Sequence, residues 1–358
     1  MKVLHAIWSL ELGGSEAMLI DIANRQVREA TVALMVGNAV VDEGLLASLS
    51  RDVPVFRMAR PPRSRNPWHL FEIGRQVRTY APDVLHAHSA TLISAVPFSR
   101  ARKVLTVHDT ALPMPASVSR YDLVVSISKA VQADLLARPT GIPSTVVYNG
   151  IDFAAIVPRT WDGPPRPFRL VQVSRLVTEK KGQDVLLQAL QLVEKVLGAG
   201  SVLADFIGDG PDRVQLVGMA ERLGLAGRCQ FLGSMPRSEV YRHLPGYDLL
   251  VQPSRNEGFG LTVVEGIAAG LPVLCADIEG PREILGNIPH RYLFAPDRPD
   301  ECARQILQII ENARRPGFGE LMAANREALR RRFDIDATAA GYLREYERLV
   351  GIRPGEAQ

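Results

Sequence analysis

The chain has 358 residues, of which 46% are apolar and 23% charged, with a formal net charge of +3. These values exclude a disordered polymer, and the length exceeds what one core usually supports, so two domains are expected. Three widely spaced cysteines, Cys229, Cys275 and Cys302, form no Cys-x-x-Cys pair and suit a reducing cytosol, and no run of 18 apolar residues marks a membrane span.

The opening residues, Met1 to Ile7, read as a buried strand rather than a signal peptide. Further strands are predicted at Val32–Val36, Val84–His86, Lys103–Val107, Leu123–Ser126, Thr145–Tyr148, Arg169–Val173, Leu203–Ile207, Cys229–Leu232, Leu249–Gln252 and Val273–Ala276. Helical runs such as Ser15–Glu29 and Gly182–Val196 are long enough to cross between parallel strands, so the class is α/β with helices on both sheet faces. The alternation occurs twice, on either side of Pro158–Pro167, where four prolines and a glycine read as a linker. The predicted division is 1–160, completed by a terminal helix at 338–358, and 161–337. In that terminal segment Tyr342 and Tyr346 stand four apart on one helix face.

Charge is unevenly placed. Arg51 to Lys103 holds ten basic residues against three acidic ones, with Trp68, His69 and Phe71 interleaved. Basic residues mixed with aromatics suit an anionic surface or a pyrophosphate-linked acceptor; no nucleic-acid motif accompanies them.

Several loops that follow predicted strands carry chemistry. Gly13 and Gly14 follow the first strand, with Ser15 placed to cap the next helix, an arrangement suited to phosphate. The adjacent glycines depart from the Gly-x-Gly-x-x-Gly of dehydrogenases. His86 and His88 share one strand face, but no third ligand lies near them in sequence, so no metal is expected there. His108-Asp109 follows another strand. Arg175 follows Leu170–Ser174, and Lys180-Lys181 precede Gly182; such cations at a strand end can neutralise a leaving diphosphate. Gly208-Asp209-Gly210 follows Ile207.

The densest signal is Pro253 to Val273. Glu257 and Glu265 flank a turn containing Gly258, Phe259 and Gly260, and a helix is predicted from near Leu261. Its free N–H groups and dipole favour phosphate, and the paired acids favour sugar hydroxyls. The text Glu-Gly-Phe-Gly-Leu-x-x-x-Glu followed by Ala-x-Gly-x-Pro-Val resembles the donor-site signature of the retaining glycosyltransferases of family 4, in the GT-B superfamily, of bacterial surface-polysaccharide type.

That resemblance implies two Rossmann-like domains facing across a cleft, the first binding acceptor and the second a nucleoside diphosphate sugar, with a UDP-sugar favoured over a GDP-sugar. It implies that His108, Arg175, Lys181 and Glu257 act in catalysis, with Lys180 a rival for the phosphate lysine. Gly13, Gly14, Gly208, Phe259, Gly260, Leu261 and Glu265 would bind the donor. Transfer would retain the anomeric configuration, without metal or cofactor, to a glycan or lipid-linked acceptor in lipopolysaccharide, O-antigen or capsule synthesis. The setting would be cytoplasmic, or peripheral at the inner face of the cell membrane. The rival readings are a GT-B sugar-nucleotide epimerase and a non-catalytic sugar-nucleotide-binding protein.

Overall fold

The computed structural model describes residues 1–351 apart from 12, 98, 111, 139–140 and 162–166. Part of the predicted linker, Leu12 of the first loop and the end of the terminal segment lie outside the described residues. The chain forms two compact units, Met1–Ile151 with Ile335–Gln358, and Asp152–Asp334.

The first unit carries seven strands: Lys2–Ile7 (β1), Thr31–Asn38 (β2), Val55–Arg60 (β3), Val84–Ala87 (β4), Arg102–Val107 (β5), Leu123–Ser126 (β6) and Ser144–Val146 (β7). They pair in parallel in the order β3-β2-β1-β4-β5-β6-β7. The central strands are apolar almost throughout because helices cover both faces. The helix Ile335–Val350 packs on the helix Gly14–Gln26 and buries Tyr342 and Tyr346 completely. It is held there by Ile335 N–H donating to Ile151 O at 3.0 Å and by Arg25 Nε on Asp336 Oδ1 at 2.7 Å.

The second unit carries six strands: Phe168–Val173 (β8), Val202–Ile207 (β9), Cys229–Gly233 (β10), Leu249–Gln252 (β11), Val273–Ala276 (β12) and Tyr292–Phe294 (β13). Their parallel order is β10-β9-β8-β11-β12-β13. On one face the helices Gln183–Leu197 and Pro299–Asn312 pack together over a core that includes Leu186, Leu190, Phe206, Leu249 and Ile306. The helices Leu261–Ala268 and Phe318–Phe333 also pack together.

Two Rossmann-like parallel sheets, the organisation of a GT-B protein, are therefore present. Two edge strands escape the sequence reading. β3 is half-exposed and carries Arg57 and Arg60 among apolar residues, so part of the basic stretch is an edge strand; β13 has only three residues. Each sheet reverses its winding at one pair, β1/β4 and β8/β11. Loops at the carboxyl ends of such a pair diverge and leave room for a ligand.

Candidate functional site

At the β8/β11 switch point, β8 leads into Ser174, Arg175 and Leu176. Two buried glutamines shape this turn. Gln172 Nε2 donates to Lys181 O at 2.9 Å, and Gln183 Nε2 donates to Arg175 O at 3.0 Å and Ser174 Oγ at 3.1 Å. The short helix Thr178–Lys181 ends at Gly182, whose φ of +64° is left-handed. A Cβ at Gly182 would stand 2.0 Å from Pro253 O, so only glycine lets these two loops meet. The result is that Lys181 Nζ donates to Glu257 Oε2, while Lys180 is exposed. The exposed Arg175 guanidinium makes no hydrogen bond or ion pair among the described residues.

Arg255 fastens the second loop to the first. Its guanidinium forms a bidentate pair with Asp184 (3.0 and 2.8 Å), and it also donates to Asp297 Oδ1 at 2.6 Å and Thr178 O at 2.6 Å. The Asp184 bond and the other acids raise the Arg255 pKa above its ordinary value. Gly280 lets the next helix approach; a Cβ there would lie 2.5 Å from Glu257 O and 2.7 Å from Phe259 O. Gly260, at φ +108°, precedes the helix Leu261–Ala268, which has no side-chain cap. Its amino end keeps the dipole and backbone donors that favour an anion. Glu265 lies one turn in, 8% exposed, and accepts from Tyr241 OH at 3.1 Å. The Phe259 ring is buried edge-on against Phe333.

Gly208 sits at φ +132°, where a Cβ would meet Ser174 O at 2.0 Å. Its glycine character is explained by the close approach of the β9 and β8 ends. Lys181, Glu257, Gly260, Leu261 and Glu265 thus gather at one switch point, with Arg175 and Gly208 at the adjoining strand ends.

The remaining predicted residues lie in the first unit, at the β1/β4/β5 strand ends. Gly13, with extended backbone, is the N-cap of the helix Gly14–Gln26; Ser15 is inside the helix and donates to Glu16 Oε2 at 2.7 Å, so it is not the expected cap. His108 follows β5 and stacks on His88 with ring centroids 5.5 Å apart. Burial lowers the pKa of His5 and of His108 to about 4 and that of His86 and His88 well below the ordinary value, so all four are neutral at pH 7.

The expectation of metal independence needs correction here. His5, on β1, supplies the third partner that His86 and His88 lacked in sequence. The three offer nitrogens within 4.8 Å of one another, all buried, a set that can hold a metal ion. The parallel pairing of β1 with β4 sets His5 opposite His86, 81 residues away in the chain.

Gln172, Gln183, Asp184, Tyr241, Arg255 and Gly280 were missed by the sequence reading. A signal existed for Gln172 and for His5: each is a polar residue flanked on both sides by apolar ones within its strand. Tyr241 and Asp184 carried none, since each lies on a helix with ordinary surface spacing.

Comparison with known proteins agrees with this architecture. Residues 12–155 match the family model Glycosyltransferase Family 4, and residues 159–330 match Glycosyl transferases group 1. A 2-deoxystreptamine glucosyltransferase of Streptomyces kanamyceticus is 31% identical over 50% of this chain; the match spans 45% of that protein. A glycosyltransferase structure from Rickettsia africae superposes with a TM-score of 0.81 at 18% identity, covering 98% of both chains. Anabaena HepE, solved in complex with UDP and glucose, is 25% identical with a TM-score of 0.79, covering 96% of this chain and 99% of that one.

Proposed function

We infer that this chain, a GT-B-fold protein related in both halves to the family 4 and group 1 glycosyltransferases, moves a sugar from a nucleoside diphosphate sugar to an acceptor hydroxyl. The observation that carries this reading is the meeting of Lys181 and Glu257 beside the uncapped helix Leu261–Ala268. A cation, backbone donors and two acids there match a diphosphate, a sugar and a ribose. The UDP and glucose held by Anabaena HepE support a UDP-sugar as donor.

In this reading Glu265 accepts the ribose hydroxyls and Glu257 a sugar hydroxyl. Arg175 and Lys181 stabilise the diphosphate as charge develops on it, and Lys181 rather than Lys180 is the phosphate lysine because Glu257 already orients it. The first domain serves the acceptor, and Gly13 and Gly14 approach the diphosphate. His108 contacts a donor-sugar hydroxyl. Transfer proceeds with retention on one face of the sugar: the anomeric carbon–phosphate oxygen bond breaks, the bond to the acceptor oxygen forms, and the acceptor proton passes to the leaving phosphate.

For the acceptor, the reading is a lipid-linked glycan of surface-polysaccharide synthesis, met at an anionic membrane face. Its support is the helix Pro67–Tyr80, where Trp68 is 69% exposed and Phe71 52%, edge-to-face at 5.3 Å, with Arg75 and Arg78 on the same stripe. No helix among the described residues is long and apolar enough to cross a membrane.

The test is turnover of a donor panel read by mass spectrometry, with and without acceptors. Transfer that survives both Arg175→Ala and Glu257→Ala rejects the site, and sugar isomerisation without acceptor selects the epimerase reading. Flotation with anionic liposomes tests the membrane arm; no flotation turns the assignment to a water-soluble acceptor.

A further inference from the structure

The helix Pro67–Tyr80 is seated by a narrow stripe in which Ile73, Gly74 and Val77 are buried. Glycine weakens a helix interior, and here packing explains it. A Cβ at Gly74 would stand 3.0 Å from Ala95 O, so glycine lets the helix lie against the 3-10 helix Ala90–Ala95. Beside that contact runs an open groove of about 230 Å³. Leu70, Phe71, Gly74 and Arg78 form one wall, and residues 94–97 with Ser99 form the other. From Leu70 to Arg78 the helix axis advances about 12 Å. Ser94 and Ser99 are the only uncharged polar side chains lining the groove among the described residues, and no acid lines it. The two arginines of this helix differ. Arg75 is taken by Glu72, with Nε donating to Oε2 at 2.9 Å. Arg78 makes no hydrogen bond or ion pair among the described residues and lies over the Phe71 ring, 5.9 Å from its centroid.

We propose that this groove takes one acyl chain of an anionic phospholipid, with the lipid phosphate on Arg78, so that a captured chain fastens the first unit to a bilayer. The proposal rests on the reading that this helix meets an anionic membrane face, and it names the partner held there. A sugar ring needs polar partners around its hydroxyls, and two serines cannot supply them. A peptide would leave backbone N–H and C=O groups unmet against the apolar walls. An alkyl chain asks for neither and gains from each methylene covered. A single cation without an acid beside it complements one phosphate. The exposed Trp68 and Phe71 lie at the same face, where amphipathic rings suit the boundary between headgroups and chains. Attachment by surface charge alone dissolves in salt, whereas a seated chain leaves a part that salt does not remove.

Calorimetry of the full chain with straight-chain alkyl phosphates, each below its micellar concentration, tests the groove without any variant. From butyl phosphate upward, affinity should rise about twofold to fourfold with each methylene and then level off once the groove is filled. No dependence on chain length, or a rise that continues to dodecyl phosphate without levelling, overturns the proposal. Inorganic phosphate and octanol should each bind at least about tenfold more weakly than octyl phosphate; parity of either overturns it as well. Bromine at the chain end of octyl phosphate should quench Trp68 fluorescence, and Trp68→Phe should abolish that quenching. Quenching that persists in Trp68→Phe puts the chain elsewhere. Ser94→Trp, on the exposed rim, should fill the groove and lower octyl phosphate affinity about tenfold or more at unchanged Tm, and undiminished binding by that variant overturns the proposal. A marked preference for geranyl phosphate over decyl phosphate would assign the groove to an isoprenoid carrier and overturn the phospholipid. Flotation with anionic liposomes but no octyl phosphate binding sinks the groove and spares the membrane reading. Octyl phosphate binding without flotation sinks the membrane reading and, with it, the fastening to a bilayer.

Discussion

Lys181 Nζ and Glu257 Oε2 form an ion pair across 76 residues of sequence, with side chains 23% and 14% exposed. In the proposed transfer reaction, a lysine so held would keep its ammonium on station for a phosphate without ordering a free side chain at the moment of reaction. Lys181→Ala should lower kcat by about 100-fold or more, the usual cost of losing one electrostatic contact to developing charge. Glu257→Gln should cost less in folding than in kcat, because the amide still accepts from Lys181. Steady-state kinetics beside thermal melts check both. A Lys181→Ala enzyme within threefold of wild type, with Lys180→Ala inactive, would reverse the lysine assignment.

Tyr241 OH is the donor that orients Glu265 from the neighbouring helix Arg237–His243. Tyr241→Phe removes one hydrogen bond to a buried carboxylate, worth about 1–2 kcal/mol. Nucleotide affinity, measured by calorimetry with UDP, should fall about tenfold while kcat at saturating donor changes little. A fall in kcat at unchanged affinity would place Glu265 in the chemical step rather than in ribose binding.

Gly280 controls how closely the helix Glu279–Leu285 meets the loop bearing Glu257. In Gly280→Ala the new methyl would press on two backbone carbonyls, which cannot swing aside as side-chain ends do. The expected cost is about 1–3 kcal/mol of stability together with a kcat loss, since relief of the clash moves Glu257 from Lys181. Gly13→Ala offers the contrast. Its backbone is extended and its close neighbour is the flexible end of Glu16, so stability should hold. Equal destabilisation of the two variants, by urea titration, would contradict this account.

Much of this molecule was legible in order along the chain. The strand runs stood out because both-face burial demands uninterrupted apolar residues, and glycines with acids after β11 marked the loop and helix that carry Glu257 and Glu265. What was hidden depended on pairing in space. His5 is an isolated polar residue in β1 until parallel register sets it against His86. Arg255 reads as one more surface arginine until the fold brings Asp184 and Asp297 to it. The glycines at 182 and 280 owe their identity to backbone atoms of a distant loop, a constraint with no local periodicity. β3 was masked by its own arginines, since an edge strand needs only one apolar face.

The histidines also set a pH dependence whose sign is fixed. His5 and His86 are fully buried and His88 nearly so, and their folded pKa values lie below the ordinary 6.5. Below pH 6.5 the unfolded chain takes up protons that the native state refuses, so stability falls with falling pH. The contribution is complete above about pH 6.5 and is lost progressively toward the folded value, about 4 for His5. Each fully buried histidine should contribute a slope of about 1 kcal/mol per pH unit; His108, partly open to water, should contribute less. Urea midpoints taken in chelator from pH 7.5 to pH 5 should hold level and then decline, before most carboxylates titrate. His86→Phe should flatten part of that decline even if it lowers the plateau, because one refused proton is gone. A midpoint that rises on acidification, or a slope unchanged in that variant, would mean the imidazoles are charged in the native fold.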